Sequence, residues 1–180
     1  MGKKETALIE HPISPVYDEN SEILILGSFP SVKSREIGFF YGHKQNRFWK
    51  VTAAVFNDKI PESTEKKKAF LHKNHIALWD VIASCEIKGS SDSSIKNVKA
   101  NDLSLILDNS RVEHIYVNGK TAEKMYNKYI FPTLQRKCTV LPSTSPANAA
   151  WDLNKLIEEW KETINSGKQA ENGRYQTGKR

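Results

Sequence analysis

The sequence predicts an α/β fold in which a parallel sheet is covered by helices on both faces. Two features of the chain predict it. Short apolar runs rich in β-branched residues alternate with stretches in which apolar residues recur at helical spacing. The first clear run, residues 23–26, ends at Gly27, and Ser28 and Pro30 then turn the chain. Strands that alternate with helices in this way are typical of parallel sheets.

The expected elements follow in chain order. Apolar runs predict strands at residues 23–26, 75–82, 112–117 and 137–141, which together make a central four-stranded parallel sheet. Helical periodicity predicts helices at residues 46–57, 61–74, 120–129 and 153–164, and a short helix capped by Asn101 or Asp102. Residues 83–101 are polar and have no helical period, so we expect a long loop there.

Length and composition predict one folded domain with two flanking segments. A chain of 180 residues suits a single core, which we assign to residues 21–165. Residues 1–20 contain Pro12 and Pro15 and are expected to form an irregular N-terminal arm, whose residues 11–17 can pack across the domain. Residues 166–180 form a basic, polar tail that we expect to be disordered.

The charge of the chain favours a polyanionic partner only slightly. The net charge is +6 and the pI is near 9.2. The tail contributes Lys168, Arg174, Lys179 and Arg180 against Glu171, a net charge of +3. The rest of the chain therefore carries only +3, which is ordinary for a mildly basic domain.

Several classes of protein are disfavoured. Cys85 and Cys138 lie far apart with no C-x-x-C spacing and the 5 histidines are scattered, so we expect no metal. No stretch approaches the roughly 18–20 apolar residues of a membrane span, and the start has no apolar signal region. We expect a cytoplasmic protein with no membrane partner, and a monomer.

Four polar segments are expected to meet at one edge of the sheet. Each follows a predicted strand: residues 28–31, residues 89–95, Asn118 with Gly119, and residues 142–148. Because ligands bind outside the carboxyl ends of parallel strands, this edge is the expected ligand site. Residues 39–49, which read F-F-Y-G-H-K-Q-N-R-F-W, add aromatic rings beside hydrogen-bonding groups. Flat apolar faces next to polar groups indicate a nucleobase pocket.

Six ordered motifs carry a resemblance to a known family. They are G-S-F-P-S, Y-G-H-K-Q-N-R-F-W-K, L-W-D-V, G-S-S-D-S-S-I, V-N-G-K and L-P-S-T-S-P-A-N. In this order, over residues 22–160, they resemble the uracil-DNA glycosylase superfamily, and within it the hypoxanthine-DNA (deoxyinosine) glycosylase branch. The resemblance implies a three-layer α/β/α sandwich, hydrolytic excision of a base from damaged DNA, and no metal or organic cofactor.

The resemblance also implies two site residues. Tyr41 matches an aromatic that stacks on the flipped base, and Asn46 matches an asparagine used in catalysis. Phe29 stands where uracil-removing relatives carry the Asp or Asn that positions the attacking water, and a phenyl ring cannot hold water. We therefore assign the polar catalytic role to Asn46, whose amide both accepts and donates hydrogen bonds. The alternative is that Asn46 only caps the following helix.

Further base-binding candidates lie beside these two residues. Phe29 or Phe40 can give a second stacking face, and stacking is worth roughly 1–3 kcal/mol per base. The alternative for these rings is ordinary core packing. Ser28, Asn118 and His43 supply polar groups for the base edge. The alternatives are a turn residue of positive φ for Asn118 and a structural histidine for His43.

Hydroxyl and amide groups on the first and last polar loops are candidate contacts to the DNA backbone. Pro146 and the residue before it are expected to open the last helix, whose N-terminus would favour a phosphate. The alternative is plain helix capping. The candidates are Ser31, Ser143, Thr144, Ser145 and Asn148.

Charged residues near this edge receive smaller roles. Asp80 and Asp92 are expected to brace the loops rather than act as bases. Lys44 and Lys120 are not obviously buried, so we expect no amine nucleophile and no lyase step.

The sequence thus predicts a monofunctional DNA glycosylase for a deaminated base, hypoxanthine first and uracil in G:U mismatches second. A non-catalytic nucleotide- or nucleic-acid-binding module is the alternative, because fold does not determine function. A flavodoxin-like cofactor carrier ranks last, because the segment after residue 26 lacks a phosphate-binding glycine loop.

Overall fold

A computed structural model of the protein describes residues 6–88 and 92–176. The strands are β1 (Ala7–Glu10), β2 (Ile23–Gly27), β3 (Ile76–Asp80), β4 (Ile82–Ile87), β5 (Lys96–Ala100), β6 (His114–Asn118) and β7 (Thr139–Leu141). The helices are α1 (Val32–Ile37), α2 (Phe48–Val55), α3 (Thr64–Lys73), α4 (Ser104–Leu107), α5 (Lys120–Tyr129), α6 (Phe131–Leu134) and α7 (Leu153–Gln176). The predicted helix at residues 120–129 coincides with α5, and α7 extends well beyond its predicted end at residue 164. The other predicted elements differ by a few residues at their ends.

The central sheet has four parallel strands in the order β3-β2-β6-β7. Every residue of β2 and β3 is buried, which explains why both read as continuous apolar runs. In register, Gly27 pairs with Asp80 and Leu26 with Val117, so the carboxyl ends of three strands are level. The predicted parallel sheet is confirmed.

Helices cover both faces of this sheet. The connection from β2 to β3 leaves in one direction and that from β6 to β7 in the other, and such crossovers are right-handed. The helices of the two connections therefore lie on opposite faces. On one face α2 packs on α7, where the rings of Phe48 and Trp160 meet edge to face at 5.9 Å. The three-layer α/β/α sandwich is confirmed.

A second, antiparallel sheet was not predicted. Its strand order is β1-β4-β5, so the prediction of a long loop over residues 83–101 is wrong, as is that of an arm without regular structure. Only Ile82, Cys85 and Ile87 of β4 are buried, without a regular alternation, and β5 is largely exposed. Short half-exposed strands have a weak local pattern, and the pairing of β1 with β4 joins residues far apart in sequence. Gly89 to Ser91 lie outside the described residues.

The N-terminal arm packs against the domain. Ile13 and Val16 are buried, and Val16 exchanges two backbone hydrogen bonds with Leu78 of β3, at 3.0 and 2.8 Å. The arm therefore covers the outer edge of the central sheet, where a strand would otherwise leave backbone groups unpaired.

The last helix is longer than the sequence indicates. Because α7 runs to Gln176, the prediction of disorder is wrong for residues 166–176, and residues 177–180 lie outside the described range. Gly167 interrupts the apolar pattern but lies within α7. Its carbonyl oxygen is hydrogen-bonded to Nε2 of the His114 imidazole at 3.0 Å. This hydrogen bond joins α7 to the domain at a point where the local composition disfavours a helix.

We expect Trp160→Ala to lower the free energy of unfolding by about 3–5 kcal/mol. The ring is fully buried where α7 packs on α2, and its indole N–H donates to the carbonyl of Pro142 at 2.9 Å. Urea denaturation followed by circular dichroism measures the change. Lys161→Ala, at the next and exposed position, is the control and should change stability by less than about 0.5 kcal/mol. Equal losses in the two variants would contradict this role for Trp160.

Candidate active site

A cavity of about 390 Å³ opens at the carboxyl edge of the central sheet. It lies beside the ends of β2 and β6, where the connections leave the sheet in opposite directions, and this is where such folds bind ligands. Its volume is in the range of roughly 300–1,000 Å³ that is usual for small-molecule sites. It is lined by eleven of the twelve predicted site residues: Ser28, Phe29, Ser31, Phe40, Tyr41, His43, Asn46, Asn118, Ser143, Thr144 and Ser145.

A chain of hydrogen bonds joins four of these residues. The hydroxyl of Thr144 donates to Asn46 Oδ1 at 2.9 Å. Asn118 Nδ2 donates to Thr144 Oγ1 at 2.9 Å and to the hydroxyl of Tyr41 at 3.2 Å. The backbone N–H of Thr144 donates to Asn118 Oδ1 at 3.1 Å, which fixes the orientation of that amide. The cavity wall is therefore one connected polar network built from three loops.

Asn46 is held as a hydrogen-bond donor toward the cavity. Its Oδ1 accepts from the backbone N–H of Phe48 at 3.0 Å and from the Thr144 hydroxyl, which uses both lone pairs of the oxygen. Of the described residues, none offers an acceptor to Nδ2. The helix-capping role and a role in the cavity therefore coexist, and the group left for a ligand is the amide N–H.

Tyr41 offers one ring face. Its other face is stacked on Phe48, with ring centroids 4.0 Å apart and the planes 13° from parallel. The backbone of Tyr41 has φ of +51°, a left-handed conformation that is costly for a bulky residue and is often found at functional sites. Burial, and secondarily the charge of Asp80, raise the pKa of the Tyr41 hydroxyl, so it stays protonated at neutral pH.

The two phenylalanines differ in their surroundings. Phe40 is 2% exposed and its ring lies against those of His11 and Phe39, so it belongs mainly to the core. Phe29 is only partly buried, and its ring meets His11 edge to face at 5.9 Å while Arg35 lies over it. Phe29 is therefore the better candidate for a second face against a base.

The polar candidates for the base edge are used differently from expectation. Both amide protons of Asn118 are already donated, so it holds the network together rather than facing a ligand. The positive φ belongs to Gly119, at +95°, and not to Asn118. His43 is exposed, and its Nδ1 accepts from the backbone N–H of Gln45 at 3.1 Å. Ser28 is partly buried and lines the cavity.

The serine hydroxyls differ in what they leave for a ligand. Ser31 Oγ donates to Ser34 Oγ at 3.1 Å, whereas the hydroxyl protons of Ser143 and Ser145 have no acceptor among the described residues. Ser31 Oγ accepts from the backbone N–H of Ser34 and caps α1, while Ser143 and Ser145 accept from backbone N–H groups two residues further on. Because α7 begins at Leu153, the prediction that the segment at Ser145 and Pro146 opens the last helix is wrong. The segment is a turn, and no helix N-terminus supports a phosphate there.

Thr144 and Asn148 do not face the cavity in the predicted way. Thr144 is fully buried, and its hydroxyl accepts one hydrogen bond and donates another inside the network. The prediction that this hydroxyl contacts a phosphate is therefore wrong. Asn148 does not line the cavity, and its Nδ2 donates to the carbonyl of Ser143 at 3.0 Å. Both residues shape the loop from inside.

Sequence reasoning missed the role of Arg47. Its guanidinium donates to the backbone carbonyls of three residues: Ser145 at 2.8 Å, Asn148 at 3.2 Å, and Trp151. Its backbone N–H donates to the carbonyl of Thr144 at 3.1 Å. A planar fork with several donors suits this task, which lysine cannot perform. Arg47 therefore fixes the last loop against the start of α2, next to Asn46.

A buried pair of ionisable residues was also missed. His11 Nε2 lies 2.7 Å from Asp80 Oδ2, and both side chains are at most 5% exposed. Asp80, at the carboxyl end of β3, lines the cavity. Its position at a strand end was a usable signal, whereas nothing local to His11 predicts that the arm brings it to this edge.

Within residues 6–88 and 92–176, no three His, Cys, Asp or Glu residues are grouped so as to hold a metal ion. No helix in these ranges is both long and apolar enough to cross a membrane.

Comparison with known proteins gives consistent matches. Residues 14–166 match the model of the Uracil DNA glycosylase superfamily. The chain is 33% identical over 153 residues to a protein of Methanosarcina acetivorans named hypoxanthine DNA glycosylase, covering 84% of this chain and 96% of that protein. A protein of Methanosarcina barkeri with the same name is 32% identical over 136 residues, covering 74% and 85%. The solution NMR structure of a Methanosarcina acetivorans protein, described as a candidate uracil DNA glycosylase, superposes with a TM-score of 0.73 at 33% identity, covering 87% and 96%.

We expect Thr144→Val to lower the free energy of unfolding by about 1–3 kcal/mol. The variant keeps the shape of the side chain but leaves the Asn118 and Asn46 amides without their buried partner. Thermal and urea denaturation measure the loss. Thr144→Ser retains the hydroxyl and should keep most of the stability, so a larger loss in the serine variant would contradict the network.

Proposed function

Because the chain belongs to the uracil-DNA glycosylase superfamily, we propose that it is a monofunctional DNA glycosylase that removes hypoxanthine first and uracil in G:U mismatches second. The two relatives named hypoxanthine DNA glycosylase support the first substrate. One observation carries the proposal: the cavity combines a free aromatic face at Tyr41 with a fixed amide N–H at Asn46.

The cavity can accept a base that has left the DNA stack. Phe48 covers one face of Tyr41, so the base stacks on the face that lines the cavity, and Phe29 provides further aromatic surface. Stacking of this kind repays part of the cost of unpairing, which is lowest for a mismatched or deaminated base. Selection of damaged bases therefore begins with the energy of extrusion.

Cleavage of the glycosidic bond leaves negative charge on the base and positive charge on the sugar. A preorganised donor aimed at the departing base stabilises that charge at no cost of reorganisation. The Asn46 amide N–H is such a donor, because Phe48 and Thr144 fix its orientation before the substrate arrives. This role differs from water activation, since Asn46 Oδ1 has no lone pair left for water.

The two loops beside the cavity hold the DNA strand. Ser31, Ser143 and Ser145 line the cavity, and the hydroxyls of Ser143 and Ser145 can donate to phosphate oxygens, whereas that of Ser31 donates to Ser34 Oγ. Arg47 keeps the last loop rigid from behind. Contacts of this type set the register of the strand without reading its sequence.

The alternative function is a module that binds a nucleotide or nucleic acid without catalysis. It uses the same cavity and the same loops, because an aromatic face and hydrogen-bond donors also serve plain binding. The two functions differ in whether an abasic site is produced.

We expect the protein to release the base from duplexes that carry a single inosine, and less rapidly from duplexes with uracil opposite guanine. Asn46→Ala should lower the single-turnover rate by about 10²–10³-fold, the usual cost of removing a preorganised donor. Alkaline strand scission on denaturing gels measures the abasic sites. Asn127→Ala, exposed on α5, is the control and should retain full activity. Tight binding without scission of any deaminated duplex would favour the binding module.

We also expect no lyase step. Lys120 lines the cavity but is exposed at the start of α5, which is not the desolvated setting that activates an amine nucleophile. Borohydride reduction during turnover should therefore trap no covalent protein–DNA complex, while abasic sites accumulate. A trapped complex that disappears in Lys120→Ala would contradict the monofunctional mechanism.

A further inference from the structure

The described residues of the cavity contain one carboxylate, that of Asp80. Hydrolysis requires a water whose proton has an acceptor, and the other polar groups provide few. Asn46 Oδ1 and Asn118 Oδ1 already accept from the protein, and the Thr144 hydroxyl is used inside the network. The carbonyls of Gly27 and Ser28 accept from the backbone of the turn after β3, at 2.8 and 3.1 Å.

Asp80 has one oxygen in use and one free. Oδ2 is hydrogen-bonded to His11 Nε2 at 2.7 Å, and no described residue donates to Oδ1. A Cβ at Gly27 would collide with Oδ1 and press on the hydroxyl of Tyr41, so the missing side chain of Gly27 leaves the space that this oxygen occupies. Asp80 is 4% exposed and lines the cavity, and its free oxygen lies over Gly27, which lines the cavity as well.

His11 donates a hydrogen bond to the carboxylate of Asp80. The backbone N–H of Ile13 donates to His11 Nδ1 at 3.2 Å, so the ring proton lies on Nε2 and is donated to Asp80. The rings of Phe29 at 5.9 Å and Trp79 at 6.5 Å meet His11 edge to face and fix its position.

From this geometry we propose that Asp80 is a catalytic residue that accepts the proton of the attacking water, and that His11 is its positioning residue. The assignment rests on the proposed glycosylase function. The water oxygen forms a bond to C1′ of the deoxyribose while the bond from C1′ to the base nitrogen breaks. The electron pair of that bond goes to the base, where Asn46 donates. The water proton goes to Asp80 Oδ1 and from there to solvent, and the base anion takes a proton from solvent.

The carboxylate also acts on the sugar. Positive charge develops at C1′ as the bond breaks, and an anion fixed nearby in a poorly solvated cavity stabilises it. Tyr41, whose hydroxyl is the titratable group beside Asp80, stays neutral and does not compete for this charge. Asp80 thus complements Asn46, one residue facing the sugar and water and the other facing the base.

The test compares Asp80→Asn and Asp80→Ala with Asp108→Asn, an exposed control at the end of α4. On the wild-type protein's best deaminated duplex, we expect the single-turnover rate at saturating protein to fall by about 10²–10⁴-fold in both Asp80 variants. The Kd for the duplex should change less than about threefold, because Asp80 is proposed to act in the chemical step and not in binding. Added formate should restore part of the rate of Asp80→Ala only.

His11→Leu should lower the same rate by about tenfold with unchanged Kd, and His11→Gln, which can still donate to Asp80, should recover most of it. An unchanged rate in Asp80→Asn, or weaker binding with an unchanged rate, would overturn the assignment. Melting temperatures identify any variant that does not fold. If Asp80→Ala or His11→Leu does not fold, the rates of the conservative variants Asp80→Asn and His11→Gln decide whether the assignment holds. A wild-type protein that cleaves no lesion would instead refute the proposed function itself.

Discussion

Two backbone N–H groups, those of Phe48 and Thr144, determine the polarity of the whole site. The first fixes the oxygen of Asn46 and the second fixes the oxygen of Asn118. Once both amides are oriented, the Thr144 hydroxyl can donate only to Asn46, and Tyr41 receives the remaining proton of Asn118. Because turning over would cost the Asn46 amide two hydrogen bonds and the Asn118 amide three, the arrangement is held firmly, and its outward N–H is ready before any ligand arrives.

The fold explains why these groups meet. The site forms where the connections of the central sheet diverge, so the loops after β2, β6 and β7 reach the same edge, where β3 ends in Asp80. Helix α2 then brings Asn46 and Arg47 over this edge, and α7 supports the last loop from behind through Trp160 and Pro142. The polar residues are therefore held by rigid elements rather than by a flexible lid, as preorganised catalysis requires.

The N-terminal arm is part of the site and not an appendage. Strand β1 is anchored on β4, the following residues cover β3 through Val16, and between these two contacts the chain brings His11 to Asp80. A buried carboxylate is costly unless it is hydrogen-bonded, and the imidazole supplies that bond. The arm therefore adds Ile13 and Val16 to the core and His11 to the site.

Local sequence patterns were enough to predict the parallel sheet, the edge at which the cavity opens and most of the lining residues, because buried strands and helices leave strong local patterns. They did not reveal the second sheet or the length of α7, since half-exposed strands and a polar helix depend on distant contacts. The hydrogen-bonding roles within the site became visible in the folded chain. The tertiary structure made Thr144 an internal link, made Asn46 a donor and joined His11 to Asp80, because hydrogen bonds between residues up to 98 positions apart have no local signature.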